Sequence, residues 1–274
     1  MSEKAVIKKV FAHMKKGNII GTRPVAENVI KIDSKATYSG DSQILKYRSY
    51  NSALTKNNFL EILPESTFIP PDRVKLINSI GKNFDLAKMR DHRYFHFKDN
   101  YLLLFKDQKS LRYYYENTKA SRINKAKVRF EVVNKDMDAV SNSYRRYVNN
   151  LLAAYNSGGL YGAAIKCETL HFGSKMDGMN LLDLQSLIKP VEAKSALVWN
   201  LPDKQSSDEV MDRFWFYDIK HCFKLYFDPD LKYKTLYYMA FNNEAECERF
   251  KRNFHGAYIT ENDIGSKVLI ERLT

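Results

Sequence analysis

The chain has 274 residues, room for one large domain or two small ones at about 150 residues each. Hydrophobic residues make up 44% and charged residues 28%, which excludes a disordered tail, and no run of about 18 apolar residues could span a bilayer. Lys and Arg number 44 against 32 Asp and Glu, a net charge of +12, which favours nucleic acid first and an acidic membrane surface second.

Beside that charge stand 18 Tyr and 16 Phe. Aromatic faces stack on unpaired bases and cations track phosphates, so the combination fits single-stranded nucleic acid. It fits equally a core of aromatics under a solvated basic surface. Cys167, Cys222 and Cys247 make no disulfide framework and point to a reducing compartment.

Residues 1–42 read as a basic helix followed by a polar arm. Val6, Ile7, Val10, Phe11 and Met14 recur at helical spacing among Lys4, Lys8, Lys9, Lys15 and Lys16, which suits a transit peptide or an ordinary first helix. A first module occupies 43–134. The alternation of Ile44 to Tyr50 predicts a strand, and Thr55 opens a short helix through Leu63. An insertion follows to about Arg90, with a helical turn near 74–80. Arg93–Phe97 and Tyr101–Phe105 then flank the turn residues Lys98, Asp99 and Asn100 as a hairpin. A helix over 110–117 and a strand over 127–133 complete β-α-β-β-α-β, the split βαβ order.

Residues 135–193 form a helical linker. Met137, Val140, Tyr144, Val148, Leu151 and Tyr155 mark an amphipathic helix. A Gly- and Met-rich loop follows over 157–179, then a short helix from Leu181 that Pro190 ends. The second module, 194–274, repeats the order: strands at 196–202, 223–227, 235–241 and 267–273, with helices capped at Ser207-Asp208 and running over 244–254. The fold class is α+β, two split-βαβ (ferredoxin-like) modules joined by a helical linker.

Two strands of the second module resemble the signatures of the RNA recognition motif. Leu197-Val198-Trp199-Asn200-Leu201-Pro202 is an apolar strand ending in Asn-Leu. Lys234 to Phe241 keeps the basic start, the aromatics Tyr238 and Phe241 and the aliphatic Met239, but lacks the glycine, and Leu236 replaces a stacking ring. Alternation puts Tyr238 on the face opposite Tyr237, Met239 and Phe241. The resemblance implies an open face where Tyr238 and Trp199 stack bases and Lys234, Lys224 and Arg272 hold phosphates. A face that binds protein or packs internally is the other reading.

In the first module, residues 101–105 are apolar on both sides, which predicts a sheet buried on both faces, covered by the 137–155 helix. Lys46, Arg48 and Tyr50 argue against full cover. Between Lys106 and Arg129 only Asp107 and Glu116 oppose a run of cations. Lys119, Arg122, Lys125 and Lys127 read as a basic loop free to meet phosphates. Gly158 to Gly162 lacks the ending of a phosphate loop, Cys167 and His171 lack a second ligand pair, and no spaced carboxylate pair appears. The expectation is no enzyme, no metal and no cofactor.

Several runs resemble the family of yeast mitochondrial translational activators of cytochrome c oxidase subunit 3. They are 45–51, 59–65, 119–125, 196–202, 214–217 and 250–256, while the stretch between the modules matches poorly. The resemblance implies a protein of the mitochondrial matrix, peripheral to the inner membrane. It further implies action on the subunit 3 message through its 5′ leader and help in splicing a group I intron. The implied partners are single-stranded or structured mitochondrial RNA, other membrane-bound activators and the mitochondrial ribosome. A protein-binding scaffold with degenerate folds is the alternative.

Overall fold

The computed structural model describes residues 43–64, 83–133, 137–156, 161, 179–202, 205–228, 234–259 and 267–274. The expected N-terminal helix, the helical turn near 74–80, most of the 157–179 loop and Cys167 lie outside the described residues. The first module runs β1 (Ile44–Arg48), α1 (Lys56–Leu60), β2 (Phe84–Arg90), β3 (Phe97–Phe105) and α2 (Gln108–Thr118). It continues through a small hairpin, β4 (Arg122–Ile123) and β5 (Ala126–Lys127), to β6 (Phe130–Val132). Next come α3 (Met137–Asn156) and α4 (Leu181–Ala193). The second module is β7 (Ser195–Trp199), α5 (Ser207–Arg213), β8 (Ile219–Asp228), β9 (Lys234–Phe241), α6 (Glu244–Phe254) and β10 (Leu269–Arg272).

Both sheets are antiparallel, with the first and third strands of each module at the centre: β2-β3-β1-β6 and β10-β7-β9-β8. Each packs one face on its own helices. Leu45, Tyr47, Tyr101, Leu103 and Phe105 meet Phe59 of α1 and Leu111 and Tyr114 of α2. Ala196, Val198, Tyr237, Met239 and Phe241 meet Val210 of α5 and Phe250 of α6. The helices start where short polar side chains satisfy open backbone N–H groups. Asp107 accepts from Ser110 N at 2.7 Å, Asn243 from Glu246 N at 2.8 Å, and Ser206, one residue before the expected cap, from Glu209 N at 3.2 Å.

The other two faces share a single core. Ile44, Ala87, Leu102 and Leu104 of the first sheet and Leu197, Phe223, Leu236 and Tyr238 of the second close around α3 and α4. Tyr144, Tyr147, Val148, Leu151 and Leu184 fill the space between them. This accounts for a β3 that is apolar on both sides. Tyr147 Oη donates to Glu192 Oε1 at 2.8 Å and Tyr144 Oη to Gln185 Oε1, tying α3 to α4, and burial raises the Glu192 carboxyl above its usual range. Pro190 does not end α4, which continues to Ala193 with Pro190 exposed and Glu192 and Ala193 buried.

The modules also clamp directly. Arg90, 1% exposed, donates to the carbonyls of Leu273 at 3.2 Å, Phe95 at 2.9 Å and Arg272 at 3.3 Å, and pairs with Glu271 at 2.9 Å. Lys88 Nζ donates to the main-chain oxygen of Thr274 at 2.5 Å.

The expected hairpin of the first module is displaced. Its outer strand is Phe84–Arg90, not Arg93–Phe97, and Lys98-Asp99-Asn100 form a bulge inside β3, where Asp99 has φ 56° and the register shifts between Lys88 and Arg90. The true turn is built by Asp91, whose Oδ1 accepts from the backbone N–H of Arg93 at 2.8 Å and of Tyr94 at 2.9 Å. That turn carries Phe95, fully buried at φ 62°, into the shared core.

Candidate nucleic-acid interface

The sheet face expected to stack bases is closed. Tyr238 is 0% exposed, its hydroxyl 2.8 Å from Ser195 Oγ, and its ring lies 5.1 Å from Phe223 and 5.7 Å from Phe95. Phe95 of the first module thus sits where the expectation placed a base, and Tyr238 is a core residue. Burial drives its phenol well above the usual range. Trp199 is half-buried against the same core.

The cations around that face are corrected with it. Arg272 is engaged by Glu244 at 2.8 Å and by Glu248, so its charge is already met. Lys224 is half-buried, with Nζ 5.5 Å from the Tyr237 ring centre. Lys234 begins β9, but its side chain lies outside the described residues.

In the first module Lys46 pairs with Glu131 at 3.3 Å. Arg48, exposed at the end of β1, lies 5.6 Å over the Tyr50 ring and donates to its hydroxyl at 3.3 Å. Tyr50, past the strand end, is 78% exposed. This pair offers a ring face and a cation together.

The expected basic loop is a hairpin. Asn124 and Lys125 take φ 49° and 68°, as both central residues of a type I′ turn do, so the chain reverses in two residues between β4 and β5. Ile123 and Val128 are buried and root it in the first core, and Ser121 Oγ donates to the Ile62 carbonyl at 3.0 Å. Lys119 is held by Glu116 at 2.7 Å. Arg122, Lys125, Lys127 and Arg129 are exposed and make no ion pair among the described residues. Arg122 stands directly opposite Lys127 across the ladder. Like charges so placed destabilise a hairpin, and an anion between them relieves the repulsion.

Register brings these groups to one end of the sheet. Tyr47 pairs with Phe130 at the last step of the β1–β6 ladder, their rings 5.6 Å apart; Arg48 follows Tyr47 in the chain and Arg129 precedes Phe130. The hairpin therefore arrives at the same end as Arg48 and Tyr50. Burial pushes the thiols of Cys222 and Cys247 up to about 12, and the half-buried His221 ring has its Nε2 2.8 Å from the Ala154 carbonyl. Among the described residues no group of three or more His, Cys, Asp or Glu could hold a metal ion, and no helix is long and apolar enough to cross a membrane.

Trp215, 80% exposed, and Phe216, 46% exposed, stand after α5 and were not singled out from sequence as a surface feature. The signal was present in Phe214-Trp215-Phe216-Tyr217. Phe214 and Tyr217, three apart, turn inward, and the two rings between them turn outward.

The family model described as "Protein PET54 N-terminal domain" matches residues 41–147. Protein PET54 of Saccharomyces bayanus is 36% identical over 272 residues, covering 93% of this chain and 87% of the relative. Protein PET54 of Saccharomyces cerevisiae is 34% identical over 263 residues, covering 93% and 88%. The chain belongs to the PET54 family. Among solved structures, the third RRM domain of Mip6 aligns at 22% identity and TM-score 0.25 over 29% of this chain and 93% of that one. The Sex-lethal protein–RNA complex aligns at 9% identity and TM-score 0.23 over 84% and 99%. In this PET54 family member the strand order of both sheets carries the fold assignment, and the alignments add nothing to it.

Proposed function

We propose that this PET54 family member binds single-stranded RNA through the end of its first module, not through a sheet face. The hairpin cations Arg122, Lys125 and Lys127 meet phosphates, and Tyr50, backed by Arg48, stacks a base. The observation that carries this reading is the exposed Arg122–Lys127 pair, held opposite one another with no ion pair to either among the described residues. The net charge of +12 supports it at long range. In this reading the protein acts by binding and catalyses nothing.

Its biological role follows the resemblance of the runs at 45–51, 119–125 and 196–202: a mitochondrial translational activator acting on the 5′ leader of the cytochrome c oxidase subunit 3 message and aiding group I intron splicing. It works in the matrix at the inner membrane surface, with other activators and the ribosome as partners. A second reading, a protein-binding scaffold, is favoured by one observation, the exposed Trp215–Phe216 pair.

Titration of the full chain with subunit 3 leader RNA at several salt concentrations separates the two. Arg122→Glu with Lys127→Glu is expected to weaken binding at low salt and to flatten the log–log salt slope by roughly 1.4, at about 0.7 per phosphate on a single strand. Tyr50→Ala is expected to cost about 1–3 kcal/mol of affinity, the worth of one stacked base. Unchanged binding in both variants would refute the site, and no binding by the wild type would leave the scaffold.

A further inference from the structure

We infer that the cleft between the hairpin and the end of α1 is a subsite for one unpaired guanine base. The inference rests on the RNA-binding reading above and names what the hairpin recognises. The cleft has a volume of about 430 Å³ and is lined by Asn58, Glu61, Ile62, Ser121, Arg122 and Asn124. That is the size range of small-molecule clefts, about 300–1,000 Å³.

Its chemistry is specific. Glu61 is exposed, and although Arg122 lines the same cleft the two form no ion pair, so a carboxylate and a guanidinium stand apart with space between them. Asn58 is oriented by its own helix start: its Oδ1 accepts from Thr55 N at 2.9 Å, which leaves the amide NH2 as a donor. A carboxylate repels a phosphate but accepts from base N–H groups.

Among the bases only guanine presents two adjacent donors, N1–H and the N2 amine, beside an acceptor, O6. The carboxylate of Glu61 takes the two donors, and O6 falls to Asn58 or Arg122. Uracil would turn two carbonyl oxygens toward the carboxylate around its one N–H. Cytosine and adenine each present one amine beside a bare ring nitrogen. The ring lies against Ile62, which is half-buried on the first core. The phosphates flanking the base then fall to the hairpin cations.

The test uses the full chain and short oligouridines carrying one central guanosine, inosine, adenosine or cytidine, read by fluorescence anisotropy. Guanosine is expected to bind about 10-fold tighter than uridine, within the range of a good bidentate base contact. Inosine, which lacks the N2 amine, is expected to fall between them. Glu61→Gln is expected to erase the guanosine advantage, with uridine bound at least as tightly as by the wild type because the carboxylate no longer faces its carbonyls, and with the circular-dichroism spectrum of the wild type. A guanosine advantage that survives Glu61→Gln, or none in the wild type, overturns the subsite. Where Arg122→Glu with Lys127→Glu still weakens every oligomer, the subsite alone falls. If that double variant binds all oligomers normally, the RNA-binding site falls and takes the subsite with it.

Discussion

Replacing Phe95 tests whether the two modules share one core. Its side chain is 0% exposed, with ring centres of Tyr161, Tyr238 and Tyr147 at 5.5, 5.7 and 6.2 Å. Phe95→Ala removes a ring bounded by both modules and by α3, and a fully buried Phe→Ala change costs about 3–5 kcal/mol. The backbone adds a second, opposite effect. Phe95 has φ 62°, a conformation that strains any residue with a Cβ, so alanine keeps the strain and glycine releases it. Phe95→Gly is therefore expected to be about 1 kcal/mol more stable than Phe95→Ala, the reverse of their order in a helix.

Urea denaturation read by two probes decides the matter. Both tryptophans of the chain, Trp199 and Trp215, belong to the second module, so their fluorescence reports on the module that does not contain Phe95. Far-ultraviolet circular dichroism reports on both. The expected result is one transition, coincident by the two probes and moved to lower urea in each variant. A fluorescence midpoint unmoved by Phe95→Ala would refute the shared core. Glycine falling below alanine would refute the backbone argument.

Three further outcomes follow from the same core. Tyr238→Phe loses the hydroxyl contact with Ser195 and is expected to cost about 1–2 kcal/mol of stability, with RNA affinity measured by anisotropy unchanged. Arg90→Met strips the partner from three carbonyls and from Glu271 and is expected to cost about 3 kcal/mol or more by thermal denaturation. Burial, and next the charge of Arg90, hold the Lys88 ammonium down to about 8. Between about pH 8 and 10 the unfolded chain keeps that proton and the folded chain does not, so the Lys88 contribution to stability rises with pH, by up to about 3 kcal/mol at ~1.4 kcal/mol per unit. Cys222 and Cys247, which ionise in the unfolded chain and stay protonated in the folded one, act in the opposite direction. Above about pH 10 the Lys88 contribution is complete and stability falls further, because unfolded tyrosines ionise while Tyr101, its phenol pushed up to about 12 by burial, stays protonated. Lys88→Met removes the rising contribution, so in a pH series of urea midpoints between about pH 8 and 10 the variant is expected to fall more steeply than the wild type.

Local features were legible before any tertiary contact was known. Asn243 with the apolar positions Cys247 and Phe250 of α6 marks a helix whatever surrounds it, because capping and one-sided burial act within a few turns. Period-two alternation sorted Tyr238 from Tyr237 and Met239, since successive side chains must point to opposite faces. The β3 run announced cover on both sides in the same way. β2 escaped because its buried positions, Phe84, Ala87 and Arg90, fall three apart, and a strand that pairs across a bulge keeps no simple period.

Tertiary structure decided what lies against each face. Tyr238 and Trp199 have the pattern of an open stacking surface, and nothing in β9 or β7 records that Phe95, from a turn 143 residues earlier than Tyr238 in the chain, closes it. The α3 stripe demanded an apolar partner but could not say whether one sheet or two would supply it. The same limit hid the hairpin pairing of Arg122 with Lys127, which needs a left-handed turn at Asn124 and Lys125 and a root in the first core. Periodicity specifies a surface, whereas the identity of its neighbour is settled only when distant surfaces compete to leave water.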